Sequence, residues 1–286
     1  MMKIFAYVDR SPFAESVWQH AVWVAKQLDF PIEIIHVLDQ PASTPSRDYS
    51  GYHRFDNQQS AMEERIRLDE LQNRVLIAEG RQLLDAIAES VREAGITRVS
   101  QRLYQGTLAE HLQQNASDCL VAVVGKRGEG AGQDSRHLGR NIERVVRSAH
   151  RPVLVVAKEF TPIKQAVVAW DTGKSSGETI HFLAKHPLLH GIPTALVHVS
   201  DNAEKLPAAI RDAQQHLETS GMDVTVSGRS GPVADAILQT VDDVPAQLLV
   251  AGAYGHSRIR NLVIGSTTTE MLMRSRVSVL VFHKYA

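Results

Sequence analysis

Gly252-Ala253-Tyr254-Gly255 is followed, after nine further residues, by Gly265-Ser266, with Thr267 and Thr268 next along the chain. A strand-like run, Gln247 to Gly252, leads into this loop, and a helical stretch near Thr268 to Arg274 follows it. Glycine permits a positive φ and lets the backbone come close to a ligand. The first amides of a helix, together with its dipole, attract negative charge. Ser266, Thr267 and Thr268 add hydroxyl donors, and His256, Arg258 and Arg260 add positive charge in the same loop. These types at this spacing suit a phosphate, and the strand–loop–helix placement is where parallel sheets bind ligands. The plainer alternative is that Gly252, Gly255 and Gly265 are turn glycines.

A second set of residues repeats. KIFAYVD ends in Asp9 and KQAVVAWD in Asp171; the next strand-like runs carry His36-Val37 and His198-Val199. An aspartate at a strand end can hold a ligand hydroxyl or merely cap the following turn, and its recurrence in both copies favours a site. The two histidines lie inside strands and read as packed or hydrogen-bonded groups. The first copy's glycine loop departs from the second's: Gly125 and Gly128 are retained, but ten residues separate Gly128 from Gly139, and Arg140 replaces Ser266. Gly130 and Gly132 loosen that loop, and Glu129 and Asp134 bring negative charge to it. Gly173-Lys174-Ser175 resembles the end of a P-loop, yet Val168 stands where that motif needs its first glycine. No dinucleotide glycine fingerprint follows the first strand, and H-E-x-x-H is absent.

The elements that must position these residues form an internal repeat. In the first copy, strands are expected over Lys3 to Asp9, Ile32 to Asp39, Arg98 to Gly106, Cys119 to Gly125 and Pro152 to Lys158. In the second they fall over Lys164 to Asp171, Ile192 to Ser200, Met222 to Gly228, Gln247 to Gly252 and Ser278 to Lys284. Helical spacing separates them, as in Ala14, Val17, Trp18, Ala21, Val22, Ala25 and Leu28. Ser11-Pro12 reads as the cap and first residue of that helix. The first copy alone carries an insertion, with a long helix from about Gln58 to Ala94 whose run from Glu63 to Glu70 reads as a solvated face. Alternating strands and helices imply right-handed crossovers and an α/β fold of two doubly wound parallel sheets in tandem. Domains are expected at 1–159 and 160–286.

Hydrophobic residues make up 43% and charged residues 22% of the 286, the composition of a protein with an ordinary packed core. Thirty-one basic against 32 acidic side chains leave a net charge of -1, so no general attraction to nucleic acid or an anionic membrane is expected. The single cysteine, Cys119, rules out an intrachain disulfide and reads as a buried small hydrophobe. The thirteen histidines show no metal spacing. The N-terminal segment lacks the pattern of a signal peptide and no run is apolar enough to span a bilayer, so the cytoplasm is the expected compartment.

The G-x-x-G-x9-G-[S/T] spacing in this context resembles the ATP-binding signature of the universal stress protein family, in two tandem copies over essentially the whole chain. That resemblance implies five-stranded parallel sheets of order 3-2-1-4-5. It implies ATP, with or without magnesium, as ligand: the ribose on Asp171, adenine on the backbone at Val199, and phosphates along Gly252, Gly255, Gly265, Ser266, Thr267 and Thr268. The first copy's counterparts, Asp9, Val37, Gly125, Gly128, Gly139 and Arg140, imply a weaker second site. It further implies pairing of last strands, within one chain or between two, giving a pseudo-dimer of domains or a homodimer. No catalytic residue is assigned: His256 is the only candidate base beside the loop, and the sequence does not give its geometry. The function expected is that of a nucleotide-binding stress regulator or scaffold. The alternatives are a slow ATPase or adenylyl-transfer enzyme, and a nucleotide-free dimerisation protein.

Overall fold

The computed structural model describes residues 1–38, 55–128, 140–171, 173–253 and 265–283, with backbone alone for 55–65, 140–141 and 174. The first half runs β1 (Lys3–Tyr7), α1 (Ala14–Leu28), β2 (Ile32–Leu38), α2 (Phe55–Glu93), β3 (Val99–Gln105), α3 (Leu108–Gln114), β4 (Cys119–Gly125), α4 (Arg140–Ser148) and β5 (Val153–Val156). The second runs β6 (Ala166–Ala169), α5 (Lys174–Lys185), β7 (Thr194–Val199), α6 (Ala208–Thr219), β8 (Val224–Arg229), α7 (Val233–Asp243), β9 (Leu248–Gly252), α8 (Ser266–Arg274) and β10 (Ser278–Phe282).

The central strands are short and rich in Val, Ile, Leu and Ala, and β4, β5, β6 and β10 are buried along almost their whole length. That is the pattern of strands covered on both faces. Each half orders its strands 3-2-1-4-5, as expected, and the ten form one sheet: β3-β2-β1-β4-β5-β10-β9-β6-β7-β8. All pairings are parallel except one. β10 runs antiparallel to β5, pairing Val279 with Val155, Leu280 with Leu154 and Val281 with Val153. The expected meeting of last strands therefore occurs within the chain. It leaves neither apolar strand as an open edge. Two apolar layers flank the sheet: one formed by α1, the last turns of α2, α5 and α6, the other by α3, α4, α7 and α8.

The seam between the halves also carries a polar chain. Ser16 Oγ donates to Ala157 O at 2.7 Å, Ser278 Oγ accepts from Ala157 N at 3.0 Å, and Ser278 Oγ lies 2.8 Å from His20 Nε2. His20 Nδ1 lies 2.7 Å from Ser16 O. A neutral ring protonated at Nδ1 satisfies every one of these partners. Burial pushes the His20 pKa down to about 4.

Three local expectations shift. Helix α1 starts at Ala14, because Ser11 Oγ accepts from Phe13 N at 3.3 Å and closes a turn ahead of it. Asp9 and Asp171 stand just past the ends of β1 and β6. On α2, the charged run is solvated from Ile66 on, but Ile66, Leu68, Leu71, Val75 and Leu76 are exposed as well, and only its later turns (Leu84, Ile87, Ala88, Val91) are buried. Cys119 is buried, which pushes its thiol up to about 12. Among the described residues, no helix is long and apolar enough to cross a membrane.

Candidate functional site

Parallel strands present their carboxyl ends along one edge, and the second half gathers its candidate residues there. Asp171 follows β6, and its Oδ1 accepts from Gly173 N at 2.8 Å and from Ser176 Oγ at 2.6 Å; its own amide donates to Ser176 Oγ at 3.2 Å. The carboxylate is thus held by the turn that opens α5. Capping and ligand presentation are compatible here, because the turn fixes the carboxylate's orientation. Val199 ends β7, and the preceding His198 places Nδ1 3.2 Å from Trp170 O, locking the end of β7 to the residue before Asp171.

Gly252 ends β9. A Cβ there would lie 2.9 Å from Ser175 Oγ and 3.0 Å from Ser175 Cβ, so glycine allows the first turn of α5 to sit against the strand end. The loop that leaves Gly252 returns at Gly265, whose amide donates to Ala253 O at 3.3 Å and which caps α8 without a side-chain bond. Ser266 is exposed and Thr267 half-buried beside the first amides of that helix. Thr268 is buried, with its hydroxyl 3.1 Å from Gly252 O and 3.2 Å from Ala253 O, so it ties α8 to β9. Its expected part as a phosphate donor becomes one of positioning.

The glycines need correction in one respect. Positive φ occurs among the described glycines at Gly95, Gly106, Gly191, Gly221 and Gly231. Gly252 and Gly265 are not among them, and Gly265 has φ −53° and ψ 137°, open to any residue. Close approach is the reason for glycine at Gly252, and left-handed backbone is not. Gly255, His256, Arg258 and Arg260 lie outside the described residues.

The first half repeats the frame. Asp9 Oδ1 accepts from Ser11 N at 3.0 Å, and His36 Nδ1 lies 2.8 Å from Val8 O, beside Val37. Gly125 ends β4, where a Cβ would meet Phe13 Cβ at 2.8 Å; at Gly128 it would lie 3.2 Å from Asp9 Oδ2. Arg140 opens α4 in backbone, while Gly139, Glu129, Gly130, Gly132 and Asp134 lie outside the described residues. Arg10, next to Asp9, pairs with Glu79 of α2 at 3.0 Å.

The sequence reading met Ser175 only in a rejected P-loop match and did not single out Ser176, yet the two shape Gly252 and Asp171. The available signal was their place five or fewer residues after a strand-ending aspartate. The histidine pair was visible as a repeat, and its role in joining the first two strand ends of each half emerges from the geometry.

Comparison with known proteins places this architecture. The family model described as "Universal stress protein family" matches residues 1–157 and 202–283. The universal stress protein Slr1230 of Synechocystis sp. (strain ATCC 27184 / PCC 6803 / Kazusa) is 32% identical over 287 residues, covering 99% of this chain and all of that one. A universal stress protein structure from Archaeoglobus fulgidus aligns over 99% of this chain and 96% of that chain at TM-score 0.71 and 19% identity. A putative universal stress protein from Pseudomonas aeruginosa aligns over 100% and 94% at TM-score 0.63 and 16% identity. The chain belongs to the universal stress protein family.

Proposed function

We propose that this protein binds ATP at the carboxyl edge of its second half and acts in the cytoplasm as a non-catalytic stress-response regulator or scaffold. One observation carries the reading: a fixed carboxylate at Asp171, the β7 end at Val199, the close-packed Gly252 and the Gly265 end of α8 line one edge of a parallel sheet. Asp171 would take the ribose hydroxyls, the Val199 backbone the adenine edge, and the α8 amides with Ser266 and Thr267 the phosphates. A magnesium ion would travel with the phosphates. Gly255 completes the proposed loop by sequence. Asp9, Val37, Gly125, Gly128, Gly139 and Arg140 would form a weaker counterpart. We place the domain boundary at 159/160, inside the connection from β5 to β6, and read the antiparallel seam as a pseudo-dimer of the two domains.

The test is extraction of nucleotide from the purified protein, with chromatography and mass spectrometry, followed by calorimetric titration with ATP. Gly265→Val should fold, since its backbone angles suit valine, yet lose ATP affinity because a side chain would stand where phosphate meets the helix. Unchanged affinity in that variant, or a purified protein that neither carries nor binds an adenine compound, would overturn the reading.

A further inference from the structure

Lys126 follows Gly125 at the end of β4, in the first half's own glycine loop, but its side chain reaches across the seam. Its Nζ donates to Met273 O and to Ser275 O, both at 2.9 Å. These carbonyls belong to the last turn and C-cap of α8. The last carbonyls of a helix have no intrahelical donor, and a cation there also opposes the dipole favourably. Lys126 therefore caps from the first half the helix whose other end is Gly265-Ser266-Thr267.

Helix α8 has nine residues. Met271 and Leu272 are buried on its inner face, Thr268 binds the end of β9, and Arg274 pairs with Asp235 at 2.6 Å. A helix this short moves as a rigid body, so what holds one end sets the placement of the other. The contact is also one-sided. Gly252 corresponds to Gly125, so Ala253 corresponds to Lys126, and a methyl group offers α4 no donor. Lys126 is half-buried, and burial with Arg127 beside it pushes its pKa down to about 8, so the ammonium form still dominates at neutral pH.

We propose that Lys126 is a positioning residue for the phosphate end of the second half's site, making tight nucleotide binding there depend on a side chain of the first half. This rests on the ATP reading above. The first half then supplies, through Lys126, a brace for its neighbour's helix.

The experiment titrates ATP and adenosine into the wild type, Lys126→Met and Lys126→Arg, with thermal unfolding of each. Lys126→Met should bind ATP about five- to tenfold more weakly, the usual size of a coupling effect through a packed element. Its affinity for adenosine, which carries no phosphate, should stay unchanged. Lys126→Arg, which keeps charge and donors, should restore ATP affinity to within about twofold of wild type. Equal weakening of ATP and adenosine, no weakening at all, or failure of arginine to rescue overturns the proposal. If Lys126→Met does not fold, Lys126→Gln keeps a donor for one carbonyl and should fall between wild type and a full loss; unchanged ATP affinity there also overturns it. The two readings fail differently. A wild type that binds no ATP sinks both, whereas ATP binding that Asp171→Ala abolishes and Lys126→Met leaves intact sinks only the role of Lys126.

Discussion

The two halves build the same strand-end frame and roof it differently. In both, the first strand is followed by an aspartate whose Oδ1 accepts a turn amide, from Ser11 in one half and Gly173 in the other. In both, the second-strand histidine binds the carbonyl before that aspartate, 28 residues away in each case. Above the histidine they diverge. Leu103 of β3 is paired with His36, and helix α2 comes down on both with Gly80, where a Cβ would meet Leu103 Cδ1 at 2.8 Å and His36 Cδ2 at 2.9 Å. Gly228 of β8 is paired with His198, and the backbone at Ala203 lies so close that a Cβ on Gly228 would stand 1.9 Å from Ala203 O. One half puts its glycine in the roof, the other in the floor. The frame that presents the aspartate is thus independent of what covers it, and the long insertion could enter the first half without disturbing β1 and β2.

The largest effect should come from exchanging these floors. Gly228→Leu gives β8 the residue that β3 has, but its roof is backbone, which cannot rotate away as a side chain does. The segment from Ser200 to Glu204 would have to lift, breaking the bond from Ser200 N to Arg229 O and the turn closed on Asn202. The expected loss is on the order of 3–5 kcal/mol, the range of severe overpacking and lost turn structure. Urea unfolding measures it. A loss below about 1 kcal/mol would mean that the Ala203 segment is not seated on β8, and the contrast between roofs would collapse.

The seam supplies the next test, because its two ends differ in the same way. His20 of α1 bonds Ser16 and Ser278, which both hold Ala157, whereas the corresponding Phe182 of α5 packs on Phe282 with ring centroids 5.0 Å apart and the rings tilted by 59°. The folded His20 pKa, about 4, is below the ordinary 6.5. Its contribution is therefore complete above pH 6.5 and is lost as pH falls from there toward 4, since the unfolded chain binds the proton first. At the acid end this amounts to up to about 3 kcal/mol. His111 and His283, also pushed down to about 4 by burial, act in the same direction. His20→Phe should flatten part of this acid limb and leave the rest. An unchanged limb would show that the seam histidine is not buried as a neutral ring.

At the site itself, the halves should separate by affinity. Asp171→Ala should weaken ATP binding by about a hundredfold, the loss of a charge-assisted pair of hydrogen bonds. Asp9→Ala should leave the tight site intact, with about one ATP per chain. Two equivalent sites, or loss of tight binding from Asp9→Ala alone, would reverse the assignment of strong and weak halves.

Much of this frame was legible in the residues. Continuous apolar runs such as Cys119-Leu120-Val121-Ala122-Val123-Val124 announce a strand covered on both faces, and the repeat of Asp9 with Asp171 and of His36 with His198 places corresponding groups at corresponding ends. The meeting of last strands was implied by the family resemblance, within one chain or between two, and the structure pairs β5 with β10 inside the chain. What stayed hidden depends on contacts between residues far apart in the chain. Ser278 reaches His20 across 258 positions and Lys126 reaches Ser275 across 149, and neither leaves a periodic trace. Ser11 looked like the cap of α1, but its hydroxyl bond to Phe13 N makes a separate turn, a competition between side chain and helix that sequence spacing does not resolve. The glycines at the proposed site were read for positive φ and for close approach to a ligand, whereas what comes close to Gly252 in the structure is Ser175, on another element.

The smallest effect, Gly80→Ala, tests whether the first half's roof differs from the second's in kind. An added methyl in mid-helix should stabilise α2 by roughly 1 kcal/mol through propensity. Against that, the methyl would press on two side chains. Leu103 Cδ1 is the far end of a flexible chain and can turn aside, but the His36 ring is held by its bond to Val8 O and must strain that bond to yield. The net expectation is a loss of about 0.5 kcal/mol, after about 1.5 kcal/mol of crowding offsets the propensity gain. Repeating the substitution in a Leu103→Ala background removes only the share of the crowding that Leu103 imposes and should bring the loss closer to zero, with the His36 share remaining. Denaturant unfolding of the four proteins measures the coupling between the two positions directly. If Gly80→Ala alone already stabilises by its full propensity, α2 does not press on His36, and the first half has no roof for Gly228 and Ala203 to be compared with.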